Sequence, residues 1–394
     1  EKMPIEERAK DLVSRMTLDE KIGMVVGDGR FLNVGDLNSI EEGKGIIIND
    51  QRAKIVIPQL SIRNTAMSDG PAGLNREAPK EGQKDYQYTT AFPTATCLAS
   101  TWNISLVEEI GKAFGNEVLE YDYDLVLAPG VNIHRNPREG RAFEYYSEDP
   151  LLTGKMAATM VNGMQSFGIG VTLKHFVAHN QQANRRYYNA VISQRALREI
   201  YLRGFEIAAK EGHPKAIMPS YNKVNGIYTA ENPELLKTIA REEWGFNGLY
   251  VTDFDGSGSA LAKVRAGSNI LMSGNMQEYN ELKRAMKDKA LDESTLDKNL
   301  FYTMKFKLSS PRAKGYEPTA KPDLKAHAKV SRKAAGEGIV LLKNEKNTLP
   351  LSGAQTVAVF GKISYYLIAF GTGSGTVRSH KYRVSVNQGL KSAG

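Results

Sequence analysis

Seven short apolar runs along the chain share one shape, greasy at the start and polar at the end. They are "KGIIIND" (44–50), "TAMSDG" (65–70), "DLVLAPG" (124–130), "GVTLKHF" (170–176), "KAIMPSYN" (215–222), "GLYVTDFDG" (248–256) and "SNILMSG" (268–274). Runs of this length, bounded by polar residues, predict buried strands. Between most of them the apolar positions step by three and four. Ile104, Val107, Ile110, Phe114 and Val118 predict a helix over 104–120, and Leu197, Ile200, Tyr201, Phe205 and Ala208 predict one over 194–210. A third helix is punctuated at both ends: Asn232 can cap it, Pro233 suits its first turn, and Gly245 follows its last residues. Strand and helix alternating in this way predict a parallel sheet. The number of strands and the length favour a closed (β/α)8 barrel over an open doubly wound sheet. In such barrels the C-terminal strand ends form the active-site face. Asp69, Lys174, His175, Tyr221 and Asp253 all fall at or just past predicted strand ends, so they are expected to converge on one mouth.

Beyond the barrel the pattern changes. The stretch 309–325, "SSPRAKGYEPTAKPDLK", carries three prolines and reads as a linker. The expected organisation is a barrel over 1–308, the linker over 309–325, and the N-terminal part of an incomplete α/β sandwich over 326–394. In that last part a helix precedes "EGIVLLKN" and "TVAVFG", which read as one or two strands. A sheet this small leaves an edge unpaired and a face bare. A second polypeptide or a further C-terminal segment is therefore expected to complete it.

Composition narrows the function classes. The 394 residues exceed one ordinary core, and 41% hydrophobic with 24% charged residues is globular composition. No apolar run approaches the ~18 residues of a membrane span, so no membrane partner is expected. The net charge of +8 is scattered among 44 acids without a basic stripe, which argues against nucleic acid. The single cysteine, Cys97, excludes an intrachain disulfide and a cysteine metal cluster. The first residue is Glu1 and not Met. A cleaved signal peptide, proteolysis or truncation would explain it, and a periplasmic or secreted location is favoured over a cytoplasmic one.

Four motifs carry candidate chemistry. "TDFDG" places Asp253 directly after a predicted strand, where a carboxylate can act as nucleophile or base. "LKHFVAHN" spaces His175 and His179 as zinc ligands on a helix would be, but Phe176 stands where the zinc motif needs its glutamate. A Lys–His pair at a strand tip suits a ligand rich in hydroxyls better, and no metal is expected. The long loop "NIHRNPREGRAFEYYSEDP" (132–150) supplies arginines, tyrosines and acids of the kind a sugar ring needs. "GTGSG" (371–375) lacks the spacing of either nucleotide fingerprint, and a loop reaching toward the barrel is the better reading.

Together with "SDGPAGL", "FPTATCLASTWN", "MPSYNKVNG", "AGSNILMSG" and "GIVLLKNEKNTLPL", these motifs fall in the order of glycoside hydrolase family 3. The chain resembles its β-glucosidase type, a barrel followed by an α/β sandwich. The resemblance implies that Asp253 is the catalytic nucleophile and that Asp69 binds sugar hydroxyls deep in the pocket. It implies that Arg141, Lys174, His175, Arg185 and Tyr221 surround the same sugar, and that Ser374 closes over it from the second domain. The family usually has Trp after the nucleophile, where this chain has Phe254. It often has Arg after "DGPAGL", where this chain has Asn75 and then Arg76. Its acid/base glutamate lies well past "GTGSG", so the acid/base is not expected within these residues. The activity implied is retaining, exo-acting hydrolysis of a terminal β-linked sugar through a glycosyl-aspartate, without a cofactor. Glucose is the default sugar, with xylose and related pentoses behind it. The rival readings are a carbohydrate-binding protein that keeps the pocket without efficient turnover, and a metal-dependent barrel hydrolase.

Overall fold

A computed structural model describes residues 3–29, 54–76, 86–351 and 356–393. Five parallel strands lie side by side in the order Leu249–Tyr250, Ala216–Pro219, Gly170–Phe176, Leu125–Leu127, Met67–Asp69. Past the first of these, Val251 bridges Ile270 and Leu271 bridges Val26, both parallel. Asp28 then reaches back across the remaining gap. Buried, it accepts the backbone N–H of Thr65 and an ion pair from Lys307 at 3.0 Å. The result is a TIM-like barrel. The run predicted over 44–50 lies outside the described residues.

Side chains alternate across the strands as the two-residue period requires. Met67, Leu125, Leu127, Ala216, Met218, Leu249 and Val251 fill the barrel interior with Ile270, Met272 and Phe306. Val126, Val171, Leu173, Ile217 and Tyr250 face outward into a second core beneath the helices. Gly170–Phe176 is buried along its whole length, as a strand covered on both faces must be.

The helix expected over 104–120 spans Ile104–Glu120, and the Asn103 side chain accepts the Leu106 N–H at its start. Ile104 itself is exposed, while Val107, Ile110, Phe114 and Val118 are buried. The helix expected over 194–210 is less regular. Ser193 caps Gln194–Ala196, a π turn follows over Leu197–Tyr201, and the α-helix resumes over Arg203–Gly212. A π turn inserts a residue and shifts the phase of the apolar face, which leaves Ile200 outside the core. The third helix has the punctuation expected of it. Asn232 accepts from Glu234 and Leu235, and Gly245 takes a φ of +74° after the last turn. No helix among the described residues is long and apolar enough to cross a membrane.

The segment after Ser309 lies along the barrel. Arg312 pairs with Asp122, and Tyr316 and Thr319 donate to Glu120. The helix Leu324–Gly338 docks on Ile104–Glu120 through a buried His327–Glu117 contact at 2.9 Å. The strands predicted over "EGIVLLKN" and "TVAVFG" are not formed. The described residues there are coil after the helix ends, and Leu342 is 92% exposed. An apolar β-branched run becomes a strand only when a neighbouring strand takes its N–H and C=O groups. Among the described residues these runs have no such neighbour.

Candidate active site

The strand ends bring the candidate residues to one cavity of about 650 Å³, lined by Asp69, Arg141, Lys174, His175, Arg185, Tyr221, Asp253, Phe254 and Ser374. The floor is charged and mostly dry. Lys174 and His175, near the C-terminal end of the strand Gly170–Phe176, are buried, and the Lys174 ammonium lies 3.9 Å from Asp69. Burial pushes the Lys174 amine below its usual range although Asp69 opposes this. Burial likewise raises the Asp69 carboxyl, against the pull of Lys174 and with the help of nearby Asp253 and Glu144. His175 is held well below the usual histidine range, first by burial and then by Arg141 and Lys174. It is therefore a neutral imidazole that can donate one hydrogen bond.

Asp253 follows the strand Leu249–Tyr250 by three residues. One carboxylate oxygen accepts the backbone N–H of Phe254 at 2.7 Å, which fixes the side-chain rotation. The other oxygen, Oδ2, stands 3.7 Å from Nε2 of His175 and accepts no hydrogen bond among the described residues. A buried carboxylate oxygen without a donor is costly. The Asp253 side chain lines the cavity, and Oδ2 is the oxygen left for a ligand to engage. The Tyr221 phenol has one proton and gives it to the Phe254 carbonyl at 2.8 Å. That bond ties the wall of the pocket to the turn that carries Asp253. The phenol is raised far above its ordinary range, by burial and then by the adjacent Asp253 charge.

The roof is built from two distant parts of the sequence. Arg141 and Glu144 form a two-pronged buried pair, with Nε to Oε1 at 3.0 Å and the terminal nitrogen to Oε2 at 2.6 Å. Ser374 accepts from the same Arg141 at 2.9 Å and lies 3.4 Å from Glu144. Burial opposes the Arg141 charge, but Glu144 overcomes it and raises the guanidinium above its usual range. The glycines of "GTGSG" let the backbone pass close to a ring: a Cβ on Gly375 would stand 2.6 Å from the Phe143 ring. This packing, and not a phosphate, accounts for the motif.

Other residues have different jobs from those their spacing suggests. His179 is buried between Asn222 and Gln182, and burial pushes it down to about 3. Asn75 lines the cavity, while Arg76 is buried outside it with its guanidinium over the Tyr121 ring. The arginine that usually follows "DGPAGL" is thus not replaced by Arg76 within the pocket. Residues the sequence did not single out also line the cavity, among them Phe143, Gln182, Arg186 and Arg378. The adjacent pair Arg185–Arg186 was visible as a doublet, but nothing in the sequence says that both lie over the Tyr221 ring, at 4.8 and 5.1 Å.

Comparison with known proteins meets this geometry. Residues 71–302 match the glycosyl hydrolase family 3 N terminal domain, and residues 339–394 match the family 3 C-terminal domain. The chain is 34% identical to β-glucosidase B of Emericella nidulans over 395 residues, covering 98% of this chain and 43% of that protein. It is 38% identical over 311 residues to an exo-α-(1→6)-L-arabinopyranosidase of Bifidobacterium longum, covering 76% of this chain and 41% of that one. Its fold is similar to that of β-glucosidase 3B from Thermotoga neapolitana in complex with glucose. That match has a TM-score of 0.89 and 42% identity, over 98% of this chain and 54% of the other. The chain spans about half the length of the relatives it matches. With a TIM-like barrel leading into the start of an α/β sandwich domain, the chain belongs to glycosyl hydrolase family 3.

Proposed function

We propose that the protein is a retaining, exo-acting β-glycosidase that removes a terminal β-linked sugar, with glucose as the default. The observation that carries this reading is the Asp253 carboxylate, held at a barrel strand tip in the cavity wall with no donor to Oδ2 among the described residues. In the first step this oxygen bonds to the anomeric carbon as the bond to the leaving oxygen breaks, giving a glycosyl-aspartate. In the second, water displaces Asp253 and the sugar leaves with its configuration retained. Asp69, Lys174, His175 and Arg141 supply a carboxylate acceptor and three donors for the hydroxyls of one ring, and Phe254 supplies an apolar face. An aromatic face and charge-assisted bonds that tighten as charge develops are what such a reaction requires.

A second carboxyl must protonate the leaving oxygen, about 5–5.5 Å from the nucleophile in retaining enzymes. Glu144 is engaged on both oxygens by Arg141, and Asp69 faces Lys174 on the floor. Neither of these two carboxyls is free to do so, and the family resemblance supports an acid/base supplied by a further segment or a second polypeptide. A pentose-directed variant of the activity is the second reading, and the similarity to an arabinopyranosidase supports it. The test is a 2-deoxy-2-fluoro-glucoside with an activated leaving group, followed by peptide mapping. Asp253 should carry the label, and Asp253→Asn should abolish turnover with an unchanged circular dichroism spectrum. Label on Asp255 or Glu144 would overturn the assignment.

A further inference from the structure

The charges lining the cavity do not balance. Arg141, Lys174, Arg185, Arg186 and Arg378 face three carboxylates, Asp69, Glu144 and Asp253. Deep in the pocket the signs are matched, Arg141 with Glu144 and Lys174 with Asp69. The surplus sits further out. Arg186 is partly exposed and Arg378 is exposed, and among the described residues neither forms an ion pair. Arg186 is held in place without being neutralised. It donates to the carbonyls of Asp255 at 2.8 Å and Phe254 at 3.3 Å, and its guanidinium lies 5.1 Å from the Tyr221 ring centre. A guanidinium has five N–H donors, so the fixed group keeps donors to spare. Arg378 comes from the opposite side in sequence, just past the glycine loop that carries Ser374. Both line the same cavity as Asp253 and are more exposed than the buried floor residues Lys174 and His175.

We propose that this mouth selects β-glycosides whose leaving group carries a carboxylate, and that Arg186 and Arg378 are the residues that select it. The proposal rests on the glycosidase reading above. The carboxylate can belong to an aryl aglycone or to a uronate unit on the leaving side; both present the same planar anion to a planar fork of donors.

The test is covalent trapping of Asp253 in the intact protein by two 2-deoxy-2-fluoro-β-glucosides. One has a carboxy-nitrophenyl leaving group, the other the corresponding methyl ester. At low salt the carboxylate probe should trap Asp253 about ten-fold faster than the ester, after correction for leaving-group acidity. Added salt should shrink the ratio, because partly exposed charges are screened. Arg378→Ala should bring the ratio toward one, and Arg378→Glu should invert it. Arg186→Met should lower it too, while Arg378 keeps the test decisive should the turn after Asp253 shift in that variant. Hydrolysis of a glucosyl-glucuronate against a glucosyl-glucose disaccharide then tells the uronate source from the aryl one. Trapping by both probes with a ratio near one, or a ratio unmoved in the Arg378 variants, overturns the proposal alone. Failure of both probes to label Asp253 overturns the glycosidase reading and the proposal with it.

Discussion

Glu144 is the residue whose removal best separates the roles in this pocket. Its two oxygens accept from Arg141 at 3.0 and 2.6 Å, and both side chains are nearly dry, with 2% and 10% of their surfaces exposed. In Glu144→Ala the guanidinium would keep its desolvation and lose its counter-charge, a change that costs about 3–5 kcal/mol for a buried pair. Water from the adjoining cavity will offset part of this, so the low end, about 3 kcal/mol, applies. At about 2 °C per kcal/mol for a large domain, Tm should fall by about 6 °C. Ser374 would also lose its anchor, because the Arg141 that holds it would be free to turn. Turnover should fall with the fold: losing one charged hydrogen bond to the sugar costs roughly 1.5–3 kcal/mol, or about 10- to 160-fold in kcat/KM. Glu144→Gln should show a smaller loss of the same kind. The assay is thermal unfolding beside kcat/KM for two β-glucosides, one with an activated aryl leaving group and one with an alkyl leaving group. A positioning role lowers both substrates by similar factors. If Glu144 were instead the proton donor, Glu144→Gln would spare the activated substrate and ruin the alkyl one. That outcome would refute the reasoning, and would bring the acid/base back into this chain.

Three further outcomes are expected. Asp69→Ala should lower kcat/KM by several kcal/mol of transition-state stabilisation, since a carboxylate can make two charged bonds worth roughly 1.5–3 kcal/mol each; a near-normal value would remove Asp69 from the sugar site. Burial holds His179 down at about 3, so below about pH 6.5 the unfolded chain takes up a proton that the fold refuses. Stability should then drop by about 1.4 kcal/mol per pH unit from this residue as pH falls toward 3. Urea unfolding at pH 6.5 and 5.5 should show a shallower loss in His179→Gln than in the parent, and equal losses would contradict the assignment. Gly375→Ala would push a methyl carbon to 2.6 Å from the Phe143 ring, an overpacking of about 1–3 kcal/mol. It should raise KM by lifting Ser374 off Arg141, and pairing it with Phe143→Leu should recover part of the loss; a silent Gly375→Ala would show that the loop is not seated on Phe143.

Local chemistry in the sequence determined the elements whose stability is local. The helix Ile104–Glu120 has the limits its periodicity and Asn103 dictate, and Asn232 caps the helix it precedes. Strand tips were legible too, because a buried strand must change from apolar to polar where it leaves the core; that change marked Asp69, Lys174, His175, Tyr221 and Asp253. What depends on a partner far along the chain was not legible. The runs at 337–344 and 356–361 have strand composition, yet past the helix end at Gly338 the residues there are coil, since a strand exists only through its neighbour's hydrogen bonds. Spacing offered His179 as a possible metal ligand; three dimensions bury it against Asn222 and Gln182. Glu144 looked like any acid in a charged loop until its contact with Arg141, three residues away, placed it beside Ser374. Arg186 is one of 52 basic residues in the sequence, and only the fold sets it against the carbonyls beside Asp253. Periodicity and polarity report on a residue's own burial. Charge pairing and donor geometry are decided by which distant residue is brought within 3 Å, and that belongs to the tertiary structure alone.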